Sequence, residues 1–295
     1  RPQSKNTGFA GAVSVGSATI RTDLDADTDA WIGKNGIISA DSIDMEARGL
    51  HTAEAAALNT GVAGLVDVAL LDVQVVDNGG ASVRIGAANG DATPGTTSIT
   101  TTSGGIDLDA ALTSNVTALT SATSVSGLGS GIDTDTSAIN NAAVKGHIGS
   151  GVDVDAATVF HMQGKLLGKT DASATSVQLT GGVSVNVSDT ESTFSPDVVM
   201  TTGQGGSIHA GQSVTVLGLL NYDEVNDEFL RFSDGYGAFG NAEGTGVALL
   251  AAVDHTVIDV DNNSLVDVTV AENMSLTSTS GDINVAARHS NEAYG

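Results

Sequence analysis

Apolar and polar residues alternate over short stretches along the whole chain, as in Val13-Ser14-Val15, Val66-Asp67-Val68, Val183-Ser184-Val185-Asn186-Val187 and Val266-Asp267-Val268-Thr269-Val270. A period of two puts every second side chain on one face, the pattern of a β-strand with one buried side. Clusters of Gly, Asn, Asp and Ser separate these stretches and supply turns. Helix has little support. The best helical candidate, Ala53-Glu54-Ala55-Ala56-Ala57-Leu58, aligns with Val116-Thr117-Ala118-Leu119-Thr120, where β-branched residues favour strand, so both read as strand.

The stretches belong to a repeat. Ile43-Asp44-Met45-Glu46-Ala47 is echoed by Ile106-Asp107-Leu108-Asp109-Ala110, Phe160-His161-Met162-Gln163-Gly164, Val214-Thr215-Val216-Leu217-Gly218 and Ile283-Asn284-Val285-Ala286-Ala287, at steps of 63, 54, 54 and 69 residues. A second marker precedes the first three copies: Trp31-Ile32-Gly33, Arg84-Ile85-Gly86 and His147-Ile148-Gly149. Self-similarity of this kind marks a stacked repeat. The predicted fold class is all-β, a parallel β-solenoid of about five imperfect modules in one continuous domain over 1–295. Module bounds fall at about 8–60, 61–125, 126–176, 177–241 and 242–295. Each module is expected to hold about three coils of roughly 18 to 23 residues, so some fifteen coils would make a rod on the order of 70 Å long. The shared register predicts that Ile43, Met45, Ile106, Leu108, Phe160, Met162, Val214, Val216, Ile283 and Val285 point inward, with Asp44, Asp107, His161, Thr215 and Asn284 outward. A tandem array of immunoglobulin-like sandwiches is the competing fold, but needs about 100 residues per domain.

Composition narrows the function classes. There are 37 Gly, 3 Pro and no Cys, which excludes collagen and a disulfide scaffold. With few aromatic residues the cross-section should be thin. A net charge of −24 repels a phosphate backbone, so nucleic acid is not an expected partner. No run of about 18 apolar residues spans a membrane, and residues 1–6 lack the apolar stretch of a signal peptide, so the chain reads as mature or as a fragment.

The Gly-rich alternation, Ala30-Trp31-Ile32-Gly33, a turn and Ser42-Ile43-Asp44-Met45-Glu46-Ala47 together resemble the β-helical passenger repeats of large bacterial surface proteins, the autotransporter and filamentous-haemagglutinin-like adhesins. The resemblance covers nearly the whole chain. It implies a right-handed parallel β-helix, an extracellular or cell-surface location, and a non-enzymatic structural or adhesive role in an adhesin, fibre or sheath. It supplies no catalytic residue. The second reading is a carbohydrate-active, polysaccharide lyase-like β-helix enzyme, which needs a groove where basic and acidic side chains of adjacent coils converge.

Two groups of residues are candidates for binding. Aspartates recur at i, i+2, and Asp23, Asp25, Asp27 and Asp29, with Asp259 and Asp261, are the best calcium candidates because turn-forming residues accompany them. The competing reading is solubilising surface. Tyr222, Phe229, Phe232, Tyr236 and Phe239 put half the aromatic residues into eighteen positions, inside an insertion at about 219–240 within the longest repeat step. Loops on a rigid scaffold often carry function, so these rings are candidate contacts for a glycan or a host or neighbour-cell protein, or else a small satellite core. A further insertion at 87–97 is small and polar and reads as a plain loop. The six histidines show no metal-ligand spacing. Both chain ends carry ordinary module sequence, Gly8-Phe9-Ala10-Gly11-Ala12-Val13 and Gly281-Asp282-Ile283-Asn284-Val285, so further copies or further segments of the same protein are expected to stack there end to end.

Overall fold

The structure, a computed structural model, describes residues 2–88, 91, 95–290 and 292–295 and consists almost wholly of parallel strands. The first turn comprises β1 (Gln3–Ala10), β2 (Val13–Leu24), β3 (Asp27–Ile32) and β4 (Ile37–Ala40). The second is β5 (Ile43–Ala63), β6 (Val66–Asp77), β7 (Gly80–Ile85) and β8 (Ser98–Thr101). The third is β9 (Ile106–Ser126), β10 (Gly129–Asn140), β11 (Ala143–Ile148) and β12 (Asp153–Ala156). The fourth is β13 (Val159–Thr180), β14 (Val183–Phe194), β15 (Asp197–Thr202) and β16 (Ser207–Ala210). In the fifth, β17 (Ser213–Leu220) is followed by a hairpin of β18 (Tyr222–Asp223) and β19 (Glu228–Phe229). The turn then resumes with β20 (Gly237–Ala248), β21 (Ala251–Asn262), β22 (Leu265–Thr269) and β23 (Ser275–Ser278). A sixth begins with β24 (Ile283–His289) and β25 (Ala293–Tyr294).

Every turn lays one strand on each of four sheets. Sheet A runs β1-β5-β9-β13-β17-β24, with β20 and β25 continuing its far half; sheet B runs β2-β6-β10-β14-β21, sheet C β3-β7-β11-β15-β22 and sheet D β4-β8-β12-β16-β23. This is the predicted parallel β-solenoid, and the register is the predicted one. Ile43 pairs with Ile106, Ile106 with Phe160, Phe160 with Val214 and Val214 with Ile283, while Trp31, Arg84 and His147 share a column of sheet C. Ala53 pairs with Val116, both in strand.

The number of coils differs from the expectation. One module is a single turn, not three, so the chain makes five turns and starts a sixth. The strand of sheet A is 21 or 22 residues long, and with the 12-, 6- and 4-residue strands of sheets B, C and D it consumes the whole module in one circuit. Alanine-rich runs such as 53–58 contain no turn, so one long strand forms where two short ones were expected. Five rungs stack over only about 24 Å, whereas a 21-residue strand has a contour of about 70 Å. Of the 87–97 loop, residues 89, 90 and 92–94 lie outside the described residues.

Each turn encloses two cores. The near half of sheet A closes with sheets C and D around a lobe filled by large side chains, among them Ile85, Ile99, Ile106, Leu108, Ile148, Phe160, Met162, Met200 and Ile208. The far half of sheet A lies against sheet B in a two-layer flap whose core is smaller: Ala53, Ala55 and Ala57 oppose Ala69, Leu71, Val73 and Val75. Alanine on one wall leaves room for the larger Leu and Val side chains of the other. At the waist between lobe and flap, buried His51 sets Nδ1 3.1 Å from both carboxylate oxygens of Asp77, and Ser114 Oγ donates to the same carboxylate at 2.5 Å. The hydroxyl binds the aspartate rather than the imidazole, so no nucleophile–base pair forms. Asp77 and, one turn on, Asn140 each accept a backbone N–H two residues ahead, from Gly79 and Ala142, and so shape the corner into sheet C.

Along the flap, apolar pairs give way to hydroxyl pairs. Val116 and Ala138 are followed one turn later by Thr170 and Ser192, whose hydroxyls bond at 2.9 Å, and Thr120 meets Thr136 at 2.7 Å. Replacing both partners together leaves no buried hydroxyl unmatched. Thr190 lacks such a match: the residue stacked on Thr120 in its turn is Ala174, and its hydroxyl is buried without a partner. Asp67 is the strongest exception. It is fully buried, neither carboxylate oxygen finds a partner, and it lies over Gly61, where a Cβ would stand within 2.2 Å of either oxygen.

Two outcomes follow for stability, both read from thermal and denaturant unfolding. Leu108→Asp buries an unpaired charge in the lobe and is expected to cost roughly 3–5 kcal/mol, whereas Asp107→Asn on the outer face should be nearly silent. Ser14, Ser130 and Ser184 occupy the column of Asp67, so Asp67→Ser should stabilise the chain, by on the order of 1–3 kcal/mol for the relieved burial. A lower melting point for Asp67→Ser would contradict this packing.

Candidate binding groove

In the fourth turn, sheet A passes from lobe to flap through Leu167 and Gly168 alone; in the fifth, residues 221–236 are inserted at this point before the strand resumes on the same register. The insertion is anchored at its start. Asn221 adopts a left-handed backbone (φ 47°), and its side chain accepts from the Gly168 N–H at 2.8 Å and donates to the Gly168 carbonyl at 3.2 Å. Tyr222 is buried; its hydroxyl donates to Asp227 and accepts from Arg288, whose Nη1 also reaches Asp227 at 2.6 Å. The hydrogen bond from Tyr222, then those and the charge from Arg288, hold the Asp227 carboxyl below the usual range. Phe229 packs edge-on against Tyr222 at 5.2 Å.

The second half of the insertion builds a groove. A single 3₁₀ turn, Phe232–Asp234, is followed by Gly235 (φ 85°) and Gly237 (φ 100°), where the left-handed backbone favours glycine. Glu292 accepts the Phe232 N–H at 2.7 Å and ties this turn to the sixth-turn strand. Phe239 stacks on the rung of Asp171, and Tyr294 on that of Phe239. The rings of Phe232, Phe239 and Tyr294 lie within 16° of parallel, with centroids 4.9 to 5.9 Å apart. Between this turn and the outer face of sheet A lies an open groove of about 380 Å³, lined by Lys169, Asp171, Phe232, Ser233, Tyr236 and Phe239 with adjoining backbone. Burial pushes the Asp171 carboxyl up, with Lys169 pulling the other way.

The five aromatic residues singled out in the sequence therefore divide. Tyr222 is buried at the base of the insertion with the exposed ring of Phe229 edge-on against it, while Phe232, Tyr236 and Phe239 line the groove. Lys169, Asp171 and Tyr294 escaped the sequence reading, because they join the site only through the rung register.

The acidic candidates lie on the outer face at opposite ends of the stack. Asp23, Asp25, Asp27 and Asp29 are exposed; the next turn sets Val76, Gly80 and Ser82 beside the first, third and fourth, while Asn78 donates to Asp25. Asp259 stacks on Glu191 and Asp261 on Thr193. Among the described residues no three His, Asp or Glu side chains converge in a cluster suited to a metal ion. His161 meets Asp107 at 3.3 Å and His209 meets Asp155 at 2.8 Å as outward ladder pairs. No protein-family model matches the chain, and neither a curated protein nor a solved structure matches it. Among the described residues no helix is long and apolar enough to cross a membrane.

The densest acidic ladder is elsewhere, on sheet B, where Asp135 stacks between Asp72 and Asp189. Burial first, then the charges of Asp72, Asp189, Asp133 and Glu191, raise its pKa above 3.8. The folded chain thus holds this proton more tightly than the unfolded one, so the contribution is full below pH 3.8 and is lost as pH rises through the raised folded value. Asp135→Asn should melt above the wild type at neutral pH, with the gap closing below pH 3.8; melting curves across pH read this directly.

Proposed function

We propose that the chain is a non-enzymatic structural and adhesive β-solenoid of a bacterial cell surface, in the manner of an adhesin, fibre or sheath, whose turns stack end to end and display the 221–236 insertion from their side. The observation that carries this reading is the match between the two end rungs. Continuing the ladder, β1 of a second copy falls on residues 241–248, next to β25, while β2 falls on β21, β3 on β22, β4 on β23 and β5 on β24. Core rows then continue: Ile20 lies on Ile258, Ala30 on Val268, Ile38 on Leu276 and Met45 on Val285. On the outer face Lys5 meets Glu243 and Arg21 meets Asp259. Such a contact is heterologous and builds an open filament.

The calcium candidates fall on this same junction, with Asp23 over Asp261 and Asp29 over Asp267. Like charges are thereby opposed only in the assembled form, so added calcium should shift the balance toward longer assemblies.

Sedimentation velocity over a concentration series tests the stacking. The wild type should form a ladder of oligomers. A Lys5→Glu/Arg21→Glu chain and a Glu243→Lys/Asp259→Arg chain should each stay shorter alone, and mixing the two should restore assembly, because each new face then meets its complement. A wild type that stays monomeric throughout, or charge-reversed chains that assemble as it does, would overturn the reading.

A further inference from the structure

We propose that the groove between the 232–237 turn and sheet A holds one pyranose unit of a neutral polysaccharide, with Tyr236 and Phe239 against the C–H face of the sugar and Lys169 and Asp171 on its hydroxyls. This rests on the adhesive reading above and names the ligand class of its displayed loop.

The argument starts from what the two walls offer. One wall is aromatic: Phe239 is fixed on strand β20 and braced by the near-parallel rings of Phe232 and Tyr294, and Tyr236 comes from the turn itself. Faces of this kind carry negative charge density and attract weakly positive C–H groups. The other wall carries Lys169 and Asp171, two residues apart on one strand and so about 7 Å apart on the same face. Together they present a donor and an acceptor, both half-buried. A pyranose is the common ligand that pairs an apolar face with a rim of neighbouring hydroxyls. At about 380 Å³ the groove lies near the small end of the range for small-molecule sites, enough for one sugar with its neighbours leaving through the open sides.

Charge selects within the class. The chain carries a net −24, which disfavours a polyanionic polymer at its surface. The groove's own charges balance, one ammonium against one carboxylate. The backbone is also set to hold the shape: Gly235 and Gly237 fix the turn, and the hydrogen bond between Glu292 and Phe232 ties it to the next rung.

Affinity electrophoresis of the whole chain in native gels cast with soluble glucan, galactan, mannan or xylan tests the proposal, with polygalacturonate as the anionic comparison. The wild type should be retarded by at least one neutral polymer. Tyr236→Ala and Asp171→Asn should each weaken that retardation tenfold or more without lowering the melting point, and Lys169→Met should weaken it less. Retardation by polygalacturonate alone, absence of retardation in every neutral gel, or full retardation of Tyr236→Ala would overturn it. Gel retardation and end-to-end assembly are separate readouts: a chain that assembles but binds no neutral polymer refutes the ligand, whereas one that binds the polymer but never assembles refutes the stacking.

Discussion

The constraint on which the rest of the molecule depends is the parallel rung: each residue lies beside its counterpart one module away, at a strand spacing of about 4.8 Å. A side chain in this fold is chosen against four neighbours, two on its own sheet and two across the core. That is why Val116 and Ala138 are replaced together by Thr170 and Ser192 in the next turn, and why Thr190, with Ala174 where its turn would need a second hydroxyl, is left with an idle one. It also explains Asp67, where glycine opposite gives room for a carboxylate but no group to satisfy it.

The same constraint divides labour between lobe and flap. In the lobe three walls meet around a wider space, filled by Ile, Leu, Met and Phe together with Val and Ala, so apolar burial there anchors the stack. In the flap two walls face each other directly, and alanine, serine and threonine take a large share of the inward positions beside Leu71, Val73, Val75, Val116 and Ile132. A polar waist built from His51, Asp77, Ser114 and Asn140 separates the two cores and shapes the corner between sheets B and C. The fifth turn opens at this waist, where the strand already bends between cores, and an insertion there leaves the register on either side intact.

Much of this was legible in the chain. The markers Ile43, Ile106, Phe160, Val214 and Ile283 carry the true register because each must fill the same place in the lobe. Ile283 and Val285 are half-exposed only because they stand on the last rung. The coil count was not legible, since alternation marks the faces of a strand but not its length, and an alanine run reads equally well as one strand or two. The site was half legible. Aromatic density located the insertion, but which rings line a groove depends on the rung beneath them, and Lys169 and Asp171 are unremarkable in sequence. With the register known, Asp171, Phe239 and Tyr294 fall into one column.

The central claim, one turn per module, is tested most directly by nitroxide pairs placed on sheet C, which the absence of native cysteine makes simple. Ser82, Lys145 and Val199 lie on three successive rungs. With one turn per module, labels at 145 and 199 are one strand spacing apart, about 5 Å at the backbone, and labels at 82 and 199 about 10 Å, so both pairs should broaden strongly. With three coils per module the same pairs would be separated by about 14 and 29 Å, and loss of broadening in the 82/199 pair would contradict the account.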